Sequence, residues 1–303
     1  MINPYKNINW ESAQHVKSMS HMHLYCQKFF DKAIEAGFKH IASTNYQPSV
    51  PTYPVRKFFA NVPDDVIGSP NSEKVYTIKC GVHFCALGSF AMGHGHTEGA
   101  TATWQEAFSH ILSELQFPDG GGITINHPGY PDIPLEFLLE MLNYDERVLG
   151  IEIYNCGTFG YKTPTQFIDF WDSVLKTGKR CWGFSVVDWY GVRGEPSTWG
   201  SNVLLVPEFT EHACLKAYRD GAFYAQIKDT GLRFTSISFE DNKLSISTNR
   251  ESEIKFVTAN GVVKTVIGTD AECCVSDGDV YIRAEAVELS DPDSHLFTNP
   301  VML

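Results

Sequence analysis

Two hydrophobic periods divide this chain. Up to about residue 230, apolar runs of strand length alternate with stretches whose apolar residues recur at helical spacing; beyond it only the strand period remains. Val16-Lys17-Ser18-Met19-Ser20 reads as an opening strand. Phe29, Phe30, Ala33 and Ile34 then share one face of a helix over 27–36, with Gly37 as its stop. Lys39-His40-Ile41-Ala42-Ser43 is a second short strand. Residues 47–71 carry Pro48, Pro51, Pro54, Pro63 and Pro70 and read as a long irregular loop, a candidate lid by length and composition. A strand over 75–87 leads to the glycine-rich Gly93-His94-Gly95-His96. Trp104, Phe108, Ile111, Leu112 and Leu115 then mark a helix. Three more strands follow, Ile123-Thr124-Ile125-Asn126, 149–154 ending at Asn155, and 181–187 ending at Asp188, separated by helices over 134–143 and 164–176.

Strands alternating with helices predict a parallel sheet, and at least six such units closing on themselves predict a TIM-like α/β barrel over 1–230. From residue 231 the pattern changes. Phe234-Thr235-Ser236-Ile237-Ser238-Phe239 and Lys243-Leu244-Ser245-Ile246-Ser247 form an alternating hairpin around Glu240-Asp241-Asn242. Further strands over 253–259, 262–267 and 280–287 predict a small C-terminal antiparallel β-sandwich, 231–303.

With 303 residues, 43% of them hydrophobic, the chain can bury one large domain and a smaller one. A net charge of −12 argues against nucleic acid, whose phosphates require a lysine and arginine surface. A phosphorylated small molecule remains compatible if a metal supplies local positive charge. Eight cysteines without a C-x-x-C pair are expected as free thiols in a reduced compartment. No basic-then-apolar stretch opens the chain and no apolar run reaches spanning length, so a cytoplasmic protein with no membrane association is expected.

Chemistry concentrates at the strand ends, where a barrel of this kind builds its sites. His21 and His23 stand one residue apart on an extended segment, so both rings point to one side and can reach one divalent cation. His127 and Asp188 follow strands in the same way. His83 lies inside an apolar strand, as a ligand or as a satisfied interior histidine, and His94 and His96 stand in a glycine-rich loop. Glu152 alternates with Ile151 and Ile153, and a carboxylate buried there requires a cationic or metal partner. Arg193 offers a planar fork for phosphate, while Tyr46 and Tyr190 either donate to substrate oxygens or pack.

Together His21-Met22-His23, Ile125-Asn126-His127-Pro128, Gly150-Ile151-Glu152-Ile153-Tyr154-Asn155, Trp171-Asp172 with Leu175 and Gly178, and Asp188 resemble the PHP (polymerase and histidinol phosphatase) superfamily of metal-dependent phosphoesterases. The tail, with Tyr281-Ile282-Arg283-Ala284 and Phe297-Thr298-Asn299-Pro300-Val301, resembles the last strands of members with a C-terminal β domain. The resemblance implies a distorted (β/α)7 barrel. It also implies that His21, His23 and Asp188 bind one metal, and that His127 joins a second together with either His94 or His96.

Departures accompany the likeness. Tyr25-Cys26-Gln27 replaces a Ser-Asp-Gly, and Tyr46 and Tyr190 replace two histidines that serve a third metal. The family's bridging glutamate would align with His83, and a neutral imidazole cannot bridge two cations. The expectation is one or two divalent ions of zinc, manganese or iron, held among His21, His23, His83, His94, His96, His127, Glu152 and Asp188. The implied activity is hydrolysis of a small phosphate ester by activated water, with His127 or the histidine of the Gly93 loop helping to neutralise the developing oxyanion and Asp188 either taking the proton or holding the metal. Hydrolysis of carboxylic or carbamic esters on the same fold, or a non-catalytic metal- or anion-binding module, are the alternatives.

Overall fold

The opening strand β1 (Gln14–Met19) is followed by α1 (Gln27–Glu35), β2 (His40–Ile41), α2 (Val55–Phe58), β3 (Ile67–Gly68), β4 (Glu73–Tyr76) and β5 (Val82–Leu87). Then come α3 (Trp104–Ser113), β6 (Gly122–Ile125), α4 (Leu135–Leu142), β7 (Val148–Asn155), α5 (Ile168–Leu175), β8 (Trp182–Val186), β9 (Gly200–Val206), α6 (Glu211–Asp220) and β10 (Phe223–Ile227). The remainder is all strand: β11 (Phe234–Glu240), β12 (Lys243–Thr258), β13 (Gly261–Cys274), β14 (Tyr281–Glu288), β15 (Asp291–Thr298) and β16 (Val301–Met302). This computed structural model describes residues 1–45, 52–76, 81–91, 103–129, 132–157, 165–188 and 199–303.

Among these residues the strands form two sheets and not one closed ring. The smaller runs β4-β5-β6-β7-β8; the larger runs β11-β12-β14-β15-β10-β9-β1-β2-β3, with β13 added on β12 and β16 on β14. The expectation of an all-parallel barrel is thereby corrected. β4 with β5, β5 with β6, and β1 with β9 are antiparallel, and the single strand expected over 75–87 is instead two strands, β4 and β5, paired antiparallel with each other. The sheets nevertheless meet at two seams at one end. At the first, Met22 bridges Asp188, with Asp188 N donating to His21 O at 3.0 Å; at the second, Glu73 N donates to Thr44 O at 3.0 Å.

Those seams matter because they draw the strand ends together over a buried layer. Phe84, Ile123, Ile125, Ile151 and Ile153 of the small sheet pack on Phe108, Leu138, Met141 and Trp171 of α3, α4 and α5. The helix α3 starts where its sequence requires, at a capping box in which Thr103 and Glu106 satisfy each other's backbone donors. The segment 52–71 is no open loop: Phe59 stacks on Phe30 at 4.5 Å, and Asn71 Nδ2 donates to Ser20 O and Ala42 O. The lid reading is not supported there, and 46–51 lie outside the described residues.

The C-terminal strands are present and antiparallel, and they continue the large sheet through β10 and β15 (Tyr224 opposite Thr298). Their core is shared, with Tyr5, Val203 and Tyr224 packed among Phe234, Ile254, Phe256 and Leu296. β12 absorbs two of the predicted strands, with a register irregularity between Ser247 and Ser252. β9, α6 and β10 were not foreseen; α6 begins at the Thr210 cap and ends at Gly221, whose φ of 74° suits glycine. No helix of the described residues is long and apolar enough to cross a membrane. Cys85, Cys181 and Cys214 are buried free thiols, whereas Cys26 and Cys274 are exposed.

Candidate metal centre

His21 and His23 leave the end of β1 with their rings on one side, as alternation requires, and both are buried. The bridge between Met22 and Asp188 brings the end of β8 against them, and Glu73, first residue of β4, enters from the other sheet. His21 Nε2 lies 3.5 Å from Glu73 Oε2 and 3.2 Å from Asp188 Oδ1; His23 Nε2 lies 3.0 and 3.5 Å from the same two oxygens. A tetrahedral ion with bonds of about 2.1 Å separates its ligand atoms by about 3.4 Å, which is close to these four imidazole–carboxylate separations. Among the described residues the buried His21 Nε2 and Glu73 Oε2 find ionisable partners at 3.0–3.5 Å but no well-aligned hydrogen bond. Orphaned polar atoms of this kind are costly unless something else satisfies them, and a cation would.

A second group shares the same carboxylate. Glu73 Oε1 lies 2.8 Å from His83 Nδ1 and 3.6 Å from His127 Nε2, and the two imidazoles meet edge to face at 4.8 Å. Each of the two groups has its ligand-capable atoms within 4.8 Å of one another. Asn126 Nδ2 also donates to Glu73 Oε1 at 3.1 Å, steadying the shared side chain. His127 and Asp188 both take positive φ, 23° and 64°, which bends the chain at the ends of β6 and β8 and turns their side chains inward. For residues with a Cβ that conformation costs energy, and it is typical of functional sites.

The electrostatics are mutual. Burial opposes a charged imidazole at His21, but the Cys85 thiol and the Asp188, Glu152 and Glu73 carboxylates around it hold its pKa well above the ordinary value. Burial likewise opposes charge on His23 and His127, and hydrogen bonds to Asp188 and Glu73 raise the first while Glu73 above all raises the second, to about 9. Burial also works against ionised Glu73 and Asp188, yet the imidazoles, His21 foremost, hold both well below the usual carboxylate range. Anions are thus kept ionised at neutral pH and imidazoles hold protons that a metal would displace.

Of the residues singled out from sequence, His21, His23, His83, His127 and Asp188 converge here. Glu152 is adjacent, but it stands in neither ligand group and both its oxygens accept hydrogen bonds, which corrects its placement among the ligands. Glu73, which was not singled out from the sequence, belongs to both groups, and His83, whose register partner is Val75, is its diagonal neighbour on the facing strand. Glu73 was missed because it sits between the proline-rich segment and the strand; an acidic residue heading an apolar run was the only local signal. Tyr46, His94, His96, Tyr190 and Arg193 lie outside the described residues. At the mouth, Tyr25 stacks on His23 with the rings 6° from parallel and its hydroxyl 3.4 Å from His23 Nδ1.

No protein-family model matches the sequence, and no curated protein matches it. Among solved structures the chain is similar over its full length to a two-domain protein of Bacteroides vulgatus described as containing a predicted PHP-like metal-dependent phosphoesterase. The identity is 12%, the TM-score 0.48, and 98% of that chain is covered. It is also similar to PsfC of Pseudomonas syringae, at 11% identity and a TM-score of 0.41, over 68% of this chain and 88% of that one.

Proposed function

We propose that this protein is a metal-dependent hydrolase of small phosphate esters working with two divalent cations that share Glu73. One observation carries the reading: a buried carboxylate presents one oxygen to each of two ligand groups, His21, His23 and Asp188 on one side and His83 and His127 on the other. Mixed imidazole and carboxylate donors suit zinc, manganese or iron. When bound, such ions supply Lewis acidity, lowering the pKa of a water and polarising the ester. Asp188 contributes Oδ1 to the first group and turns Oδ2 toward Asn155 Nδ2, 2.9 Å away, and His127 Nε2, 3.8 Å away. In this reading Asp188 Oδ2 takes the proton that a nucleophilic water gives up. The first group has four donors and the second, among the described residues, three.

The test compares chelated and metal-replete protein on p-nitrophenyl phosphate and p-nitrophenyl acetate, with bound metal measured in parallel. Metal-dependent turnover of the phosphate is the expected result. Turnover of the acetate alone would move the reading to carboxylic esters. Bound metal with no turnover of either would leave a binding module.

A further inference from the structure

Glu152 ligates neither group, yet its carboxylate is committed to both. It is fully buried at the centre of β7. Its Oε1 accepts a hydrogen bond from His21 Nδ1 at 2.6 Å, and its Oε2 accepts from the backbone N–H of His127 and from Asn155 Nδ2, each at 2.7 Å. The same Asn155 amide reaches Asp188 Oδ2 at 2.9 Å. We infer that Glu152 is the positioning residue of the whole centre, setting His21, His127 and, through Asn155, Asp188 from a single anion. The inference rests on the metal reading above.

Each of the three contacts has a geometric consequence. With its Nδ1–H donated to Oε1, a neutral His21 must carry its lone pair on Nε2, the atom 3.2 Å from Asp188 Oδ1 and 3.5 Å from Glu73 Oε2. The bond to the His127 amide anchors the residue whose φ of 23° turns its ring toward Glu73. The bond to Asn155 aims the amide that holds Asp188 in the first group. An ionised carboxylate only accepts, and here it takes three donors on two oxygens. A glutamine of the same shape has one accepting oxygen and an NH2 that only donates. Whichever way it is turned, the NH2 faces either His21 Nδ1–H or the pair formed by the His127 amide and Asn155.

The test is calorimetric titration of the full metal-free chain with zinc or manganese, together with the visible spectrum of the cobalt-substituted protein, which reports ligand geometry. Glu152→Gln is expected to weaken both metal sites about 10- to 100-fold and to change the cobalt bands, with the far-ultraviolet circular dichroism retained. Asn155→Ala is expected to weaken the first site and spare the second. Wild-type affinities and an unchanged cobalt spectrum in Glu152→Gln would overturn the inference while leaving the metal reading intact. A wild-type chain that takes up no metal would overturn both. If Glu152→Gln fails to fold, Asn155→Ala decides, since an unaltered first site in that variant would overturn the positioning role.

Discussion

Removing Asp172 should cost far more than its partial exposure suggests, because of what it leaves behind. Arg283 on β14 is buried, and its guanidinium donates to Asp172 through Nε and Nη2, each at 2.8 Å, to Glu285 through Nη1 at 2.6 Å, and lies over the Trp171 ring at 4.9 Å. Tyr281 OH donates to Asp172 Oδ1 as well, at 3.1 Å. This cluster ties the C-terminal strands to α5. Deleting one partner of a buried pair typically costs about 3–5 kcal/mol, since the remaining charge stays desolvated and unpaired. Glu285 still neutralises part of the guanidinium and the Asp172 side chain is 16% exposed, so Asp172→Ala is placed at the low end, about 3 kcal/mol. Arg283→Met removes the cation, keeps much of the volume and leaves Asp172 and Glu285, whose side chains are 16% and 14% exposed and so can turn to water, so it should cost only about 1–2 kcal/mol. The double variant should therefore be more stable than Asp172→Ala alone. Urea unfolding followed by tryptophan fluorescence reads this out, because Trp171 lies beneath the guanidinium. A loss below about 1 kcal/mol for Asp172→Ala, or a double variant as unstable as the two single losses summed, would refute the reasoning.

Two further outcomes are expected. Burial pushes His40 down to about 3, held neutral between Ser18 Oγ at 2.7 Å and Ser69 Oγ at 2.8 Å. The unfolded chain, with a histidine near 6.5, takes up this proton first, so the contribution of His40 to stability is flat above that pH and falls by about 1.4 kcal/mol per pH unit toward pH 3. Denaturation midpoints from pH 7 to 4 should show a shallower decline in His40→Gln, and identical slopes would dismiss the idea. Glu73→Gln should bring bound metal from two ions to at most one and cut metal-dependent turnover by roughly a hundredfold or more, since an amide cannot present an anionic oxygen to both groups. Elemental analysis finding two ions still in place would exclude Glu73 as the shared ligand.

How much of this was readable beforehand depends on how local each feature is. Helices α1 and α3 follow from apolar spacing within a dozen residues, and the hairpin of β11 and β12 from strict alternation. That His21 and His23 face one way is a property of extended backbone alone, and the arrival of His127 and Asp188 at strand ends is nearly as local. Strand direction and pairing are different, because they depend on which edge finds which partner across long stretches of chain. Nothing within 75–87 announces that the chain folds back there, so the antiparallel β4–β5 pair, the two-sheet arrangement and the place of Glu73 came only from the tertiary structure. The role of Glu152 divides the same way. Its sequence position demanded a buried partner, but only the convergence of β1, β6 and β7 decided that the partners would be His21, the His127 amide and Asn155. Periodicity is written along the chain, whereas the competition among donors for one buried carboxylate is settled only once distant segments share a dry interior.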